Sequence, residues 1–245
     1  MRRPVFLLSL IFLSAAMPVL AQDEETEEEP LWKGSLGLAF LGTTGNSETT
    51  TFGLDFDAER RPAPWGLTLT GRFNRNEDQG ELTAERYLLA GRLVRSLSER
   101  WEVFAGLGGE KDVFAGYDLL LTADVGATYK ALLGPRHLLS FDGGLSYTDE
   151  DRVDPNPNVS FLGALLGLNY EFKITDSSSL TQLLLFTPNF DDSDDWRLRS
   201  ETALTAAINA WLAVKLGYEV RYRNQPIGEA DSTDTTSSAS VVFSF

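Results

Sequence analysis

From Leu212 to Tyr222 every second residue is apolar: Leu212, Val214, Leu216, Tyr218, Val220 and Tyr222, with Lys215, Glu219 and Arg221 between them. A period of two is the signature of a strand with one apolar and one polar face. After a polar break at 224–231 the alternation resumes. Ala239, Val241, Phe243 and Phe245 then face one way, and Ser238, Ser240 and Ser244 the other. The same rhythm recurs from residue 32 onward. It predicts twelve strands, near 32–42, 49–60, 65–76, 84–96, 100–112, 118–130, 136–148, 158–172, 178–188, 196–208, 211–223 and 234–245. No stretch keeps a helical period, and an even strand count with lengths of roughly 9–11 residues or more suits strands crossing a bilayer at a tilt. A final strand with an apolar outer face would be an aggregation-prone edge in a soluble sheet. It is accounted for if it closes against the first strand and meets lipid. The predicted fold is all-β: a transmembrane, antiparallel, up-and-down β-barrel over residues 31–245.

The faces are consistent along most strands. Phe52, Leu54 and Phe56 oppose Asp55 and Asp57; Leu67, Leu69 and Phe73 oppose Arg72; Tyr87, Leu89 and Leu93 oppose Arg86 and Arg92. Leu121, Val125 and Tyr129 oppose Asp124, and Phe141, Leu145 and Tyr147 oppose Asp142. Arg197, Arg199 and Glu201 share one face of the tenth strand, as Lys215, Glu219, Arg221 and Arg223 do on the eleventh. These charged residues are the predicted lumen lining. The tenth and eleventh strands place five basic and two acidic groups side by side, so counter-charges are needed, and Asp55, Asp57, Asp124 and Asp142 are the candidates. The eighth and ninth strands, around Leu162–Leu168 and Leu183–Phe186, alternate poorly, and their faces stay open.

Turns after even strands are short or rigid, as in 131–135 and 175–178. Those after odd strands are polar, at 76–83, 149–158, 191–195 and 225–234. Barrels combine short periplasmic turns with longer external loops, so both termini are expected in the periplasm. Trp32, Trp65, Trp101 and Trp211 each begin an odd strand, on one rim, and Trp196 begins an even strand on the other. Indoles favour the lipid interface, where ring and N–H are both satisfied. Gly45-Asn46 predicts a tight hairpin turn.

Arg2 and Arg3, the apolar run Val5–Ala16 and the small residues before Gln22 predict a cleaved signal peptide over 1–21, the alternative being an uncleaved anchor. Six acids among the seven residues of 23–29 make 22–30 an acidic leader; such a run repels itself and is solvated, the alternative being a cation- or partner-binding tail. Loss of two arginines with residues 1–21 leaves 19 basic against 36 acidic residues, a net charge of −17. That balance excludes a basic nucleic-acid footprint. There is no cysteine, so no disulfide framework.

The sole histidine, His137, lies at a turn with no nucleophile or base constellation beside it. No enzyme activity, cofactor or metal is expected. The acidic run 191–195 has oxygen ligands but not the spacing or glycine of a calcium loop, and reads as solvated.

Three stretches carry a resemblance: Leu36-Gly-Leu-Ala-Phe-Leu-Gly-Thr-Thr-Gly-Asn-Ser-Glu-Thr-Thr50; Leu82-Thr-Ala-Glu-Arg-Tyr87 continuing through 97–101 to Phe114-Ala-Gly-Tyr-Asp118; and the terminal hairpin from Tyr218 to Thr236. In order and spacing they are similar to a family of salt-induced outer membrane proteins of unknown function. The resemblance implies an outer-membrane barrel of a Gram-negative bacterium with a label of salt or envelope stress response. In proteins of this kind the final aromatic strand, here Phe243 and Phe245, is what the barrel-assembly machinery receives. Two function classes follow: a narrow or occluded structural barrel, with charges paired in the lumen, or a small-solute channel of weak cation preference. An outer-membrane enzyme is a remote third. Membrane lipid and the assembly machinery are the expected partners, and a monomer is the expected state.

Overall fold

The computed structural model describes residues 31–43, 49–60, 64–228 and 230–245. The expected signal peptide and acidic leader, and the Gly45-Asn46 turn, lie outside the described residues. From Leu31 to Phe245 the chain is one unit. Its strands are β1 (Trp32–Thr43), β2 (Thr49–Arg60), β3 (Trp65–Asp78), β4 (Glu81–Ser96), β5 (Trp101–Asp112), β6 (Tyr117–Leu133), β7 (His137–Arg152), β8 (Val159–Thr175), β9 (Ser178–Pro188), β10 (Trp196–Ala207), β11 (Leu212–Arg223) and β12 (Thr233–Ser244). Each pairs antiparallel with its sequence neighbours, and β1 pairs with β12, so the sheet is a closed barrel. Closure satisfies backbone groups between strands, which lipid could not do.

The closing seam is short. β1 pairs with β2 along its whole length, but with β12 only through Ser35–Leu38 against Val241–Ser244. One further rung joins Gly34 to Phe245: each N–H donates to the other's carbonyl, at 2.9 and 3.0 Å. A Cβ at Gly34 would overlap the Phe245 ring, so the glycine is what admits the terminal side chain.

Apolar residues at mid-strand point outward all round the barrel. Leu89 and Leu107 are 68% and 70% exposed, and Val125, Leu145, Leu166 and Leu216 are exposed with them. A continuous belt of this kind is a lipid-facing surface and not a solvated one. Aromatic residues edge it. On the rim where β1 begins and β12 ends, Trp101 meets Tyr129 at 4.9 Å between centroids and Trp211 stacks on Phe243 at 6.1 Å. Toward the other rim, which carries the longer loops, Trp196 lies 4.9 Å from Tyr222 and 5.8 Å from Phe186. His137 stacks on Phe172 at 4.8 Å, and its Nδ1 is 2.8 Å from the Tyr170 hydroxyl. It is part of this outward aromatic edge.

Two loop boundaries differ from the sequence expectation. The β3–β4 connection is not a loop over 76–83 but the two-residue turn Gln79-Gly80, with φ of 52° and 83°. Both residues take the positive φ of a primed hairpin turn, which lets the flanking strands run on. β7 likewise continues to Arg152, past the acids Asp149, Glu150 and Asp151 that suggested a loop.

Candidate functional site in the barrel lumen

Register puts like charges opposite one another on the inner face of β10 and β11. Arg197 faces Arg223, Arg199 faces Arg221 and Glu201 faces Glu219. Like charges directly across a ladder repel, so each rung depends on counter-charges from elsewhere.

Those counter-charges come mostly from the far wall. Arg223 donates both terminal nitrogens to Glu150, Nη1 to Oε1 and Nη2 to Oε2, each at 2.9 Å. Arg197 Nη2 and Arg152 Nη2 reach the same carboxylate at 2.6 and 2.7 Å. Glu150 is completely buried, at 0% exposure. Arg221 donates to Glu110 and to Asp112, both at 2.9 Å, and approaches Asp234 at 3.4 Å. Arg86 forks onto Glu110 at 2.7 and 3.1 Å and reaches across to Glu219 at 3.2 Å. Tyr117 donates its hydroxyl to Glu110 at 2.7 Å, Arg199 lies 3.0 Å from Glu219, and it also pairs with Glu201. Arginine suits this role because its planar fork holds two acceptors at once.

The acids proposed from the sequence for Arg221 and Arg223 therefore have other partners. Asp55 and Asp57 hold Arg72, at 3.3 and 3.1 Å. Asp142 takes a bidentate contact from Arg92, 3.0 Å at each oxygen, and accepts from the buried Thr128 hydroxyl. Asp124 lines the same space, with Oδ1 buried and unbonded among the described residues. Twelve strands curve far enough that Arg221 and Arg223 meet β5 and β7, not β2.

Local glycines shape the wall around Arg92. A Cβ on Gly126 would stand 2.7 Å from the Phe104 ring and 2.5 Å from the Gly143 carbonyl. Without side chains there, Phe104 turns into the lumen, and the Arg92 guanidinium lies over its ring at 3.6 Å.

Two cavities of about 520 and 600 Å³ occupy the lumen and share Arg72, Arg86, Leu183 and Glu201 as walls. Lys215 lines the smaller and makes no ion pair among the described residues. At the loop rim the β11–β12 connection folds inward. Ile227 is buried against Gly116, whose φ of 94° and missing Cβ make room for it, and Pro226 lines the larger cavity. The acidic run 191–195 is not wholly solvated: Asp195 is buried, 3.4 Å from Arg197 and 3.8 Å from Arg223.

Sequence reasoning missed Glu110, Asp112, Tyr117, Glu150, Asp195 and Asp234. Glu150 was legible. It continues the inward series Ser140, Asp142, Ser146 and Thr148 by parity, and only the loop reading of an acid run hid it.

The arrangement defines a membrane-spanning twelve-strand barrel whose lumen is bridged by arginine–carboxylate clusters. Residues 36–245 match the family described as "Protein of unknown function, DUF481", and the chain belongs to that family. The uncharacterized protein YdiY of Escherichia coli strain K12 is 25% identical over 225 residues, covering 91% of this chain and 86% of that one. Among solved structures, the translocator domain of the autotransporter NalP from Neisseria meningitidis superposes with a TM-score of 0.50 at 12% identity, over 90% of each chain. The NanC porin gives 0.49 at 10% identity, over 86% of this chain and 97% of that one. These likenesses are of fold.

Proposed function

We propose that the protein is an outer-membrane barrel of a Gram-negative envelope, with both termini periplasmic, whose lumen is closed to bulk ion flow and whose role is structural, supporting the membrane under salt or osmotic stress. Pairing across the lumen is the observation that carries this reading: Arg223 to Glu150 joins β11 to β7, and Arg86 to Glu219 joins β4 to β11. Partly buried pairs are screened far less than surface pairs, so such a closure persists as external salt rises. No catalytic role is assigned, and His137 belongs to the outer aromatic edge. The chain acts as a monomer in lipid, delivered by the barrel-assembly machinery.

The wild-type chain, refolded and inserted in planar bilayers, is expected to show conductance near the membrane background at both 0.1 and about 1 M salt, where the Debye length falls from ~10 to ~3 Å. A large, stable conductance at either concentration would overturn the closed reading. It would favour the second one, a small-solute channel of weak cation preference, for which the contact of the two cavities at Arg72, Arg86, Leu183 and Glu201 is the supporting observation.

A further inference from the structure

The inner wall of a membrane barrel is ordinarily polar. Here Leu88, Phe104, Leu120, Leu165, Leu183 and Leu185, from five strands, line the cavity of about 600 Å³. β8 and β9 are apolar on both faces, since Leu162, Leu166 and Leu184 are exposed on the outside. That explains their poor alternation. Phe104 and Leu165 are buried, whereas Leu183 and Leu185 are only half-buried and border open space. Apolar surface left against water is unfavourable by about 25 cal/mol per Å². A body of alkyl groups in the cavity would remove that surface from water, and the volume lies within the range of small-molecule sites, roughly 300–1,000 Å³.

Charged side chains of both signs share the wall with these apolar groups, among them Arg86, Arg199, Arg221, Glu110 and Glu201. Arg197 also lines this cavity, and its Nε is buried with no acceptor among the described residues, although Nη2 is held by Glu150 and Asp195. A guanidinium can only donate, and an ionised carboxylate can only accept. Pro226 and Ser232, on either side of the buried Ile227, border the cavity at the loop rim.

We propose that this cavity binds a small amphiphilic monoanion, an alkyl carboxylate of medium chain length, with its chain against the leucines and Phe104 and its carboxylate accepting from Arg197. The site goes beyond the structural role proposed above and does not depend on whether the lumen conducts.

The test is equilibrium dialysis of radiolabelled decanoate against the full chain in phosphatidylcholine nanodiscs, with empty discs as the blank and decanol as the neutral probe. Wild type is expected to take up decanoate saturably above the blank. Leu185→Asp should weaken binding of both probes at least about tenfold. Arg197→Gln should weaken decanoate about tenfold and leave decanol unchanged. Folding of each variant is checked by its unheated gel mobility, and Leu183→Asn, a milder change on the same wall, decides if Leu185→Asp does not fold. No saturable excess over empty discs, or an excess untouched by the leucine substitutions, overturns the site. Equal loss of decanoate and decanol in Arg197→Gln overturns the assignment of the anion.

Discussion

A chain lacking Phe245 is expected to fail at barrel closure, with the yield of compact, heat-modifiable protein in membranes falling about tenfold or more, since unpaired backbone groups in lipid cost several kcal/mol each. The seam between β1 and β12 consists of four registered pairs and the Gly34–Phe245 rung. Removing the last residue deletes both hydrogen bonds of that rung, from a seam with few to lose. The ring contributes separately: it sits over Gly34, while its neighbour Phe243 stacks on Trp211. Phe245→Ala keeps the backbone rung and should give an intermediate yield. Gly34→Leu keeps Phe245 but fills the space its ring occupies, and should resemble the deletion. These variants separate closure from recognition by the assembly machinery, because Gly34→Leu leaves the carboxy-terminal strand intact. Refolding in detergent, without that machinery, should reproduce the order wild type, Phe245→Ala, deletion. A deletion chain that refolds as fully as wild type would remove Phe245 from the account of closure.

The strands were legible because outward and inward positions differ in polarity along most of them, and the outward set is fixed by lipid. Where that contrast fails, so does the reading: Leu165, Leu183 and Leu185 face inward and are as apolar as Leu162, Leu166 and Leu184 outside. The charged set from Asp55 to Arg223 could be placed on one face by parity alone. Its pairing could not, because partners such as Arg86 and Glu219 stand 133 residues apart and meet only through the curvature and stagger of the closed sheet. The acid runs misled for a different reason. A run of like charge is ordinarily solvated, but at 149–151 and 191–195 the arginines of β10 and β11 draw one acid from each, Glu150 and Asp195, into the lumen.

Replacing Arg221 and Arg223 together by alanine is expected to raise single-channel conductance above wild type by about tenfold or more, a size typical of fields focused in charged clefts. The two guanidiniums stand on the loop-side half of the lumen and join β11 to β5 and β7. Their loss removes two long side chains from the cross-section and leaves the surrounding acids in excess. The barrel should survive this. Glu150 keeps Arg152 and Arg197, and Glu110 keeps Arg86 and the Tyr117 hydroxyl, so neither carboxylate is stranded. Asp112 and the half-exposed Asp234 both lose Arg221, their ion-pair partner, and for the buried Asp112 breaking the pair costs on the order of 3–5 kcal/mol when nothing replaces it. Water entering the widened lumen reduces that figure, and the strand ladders are untouched. With two positive charges gone, the new path should prefer cations, seen as a shift in reversal potential under a salt gradient. Glu150→Ala is the informative contrast. It strands Arg152 and leaves Arg197 and Arg223 only their longer contacts with Asp195, at 3.4 and 3.8 Å, around one void, so it should lower the yield of folded barrel rather than simply open it. A double mutant that folds, conducts no more than wild type and shows no cation preference would mean that Arg221 and Arg223 do not close the lumen.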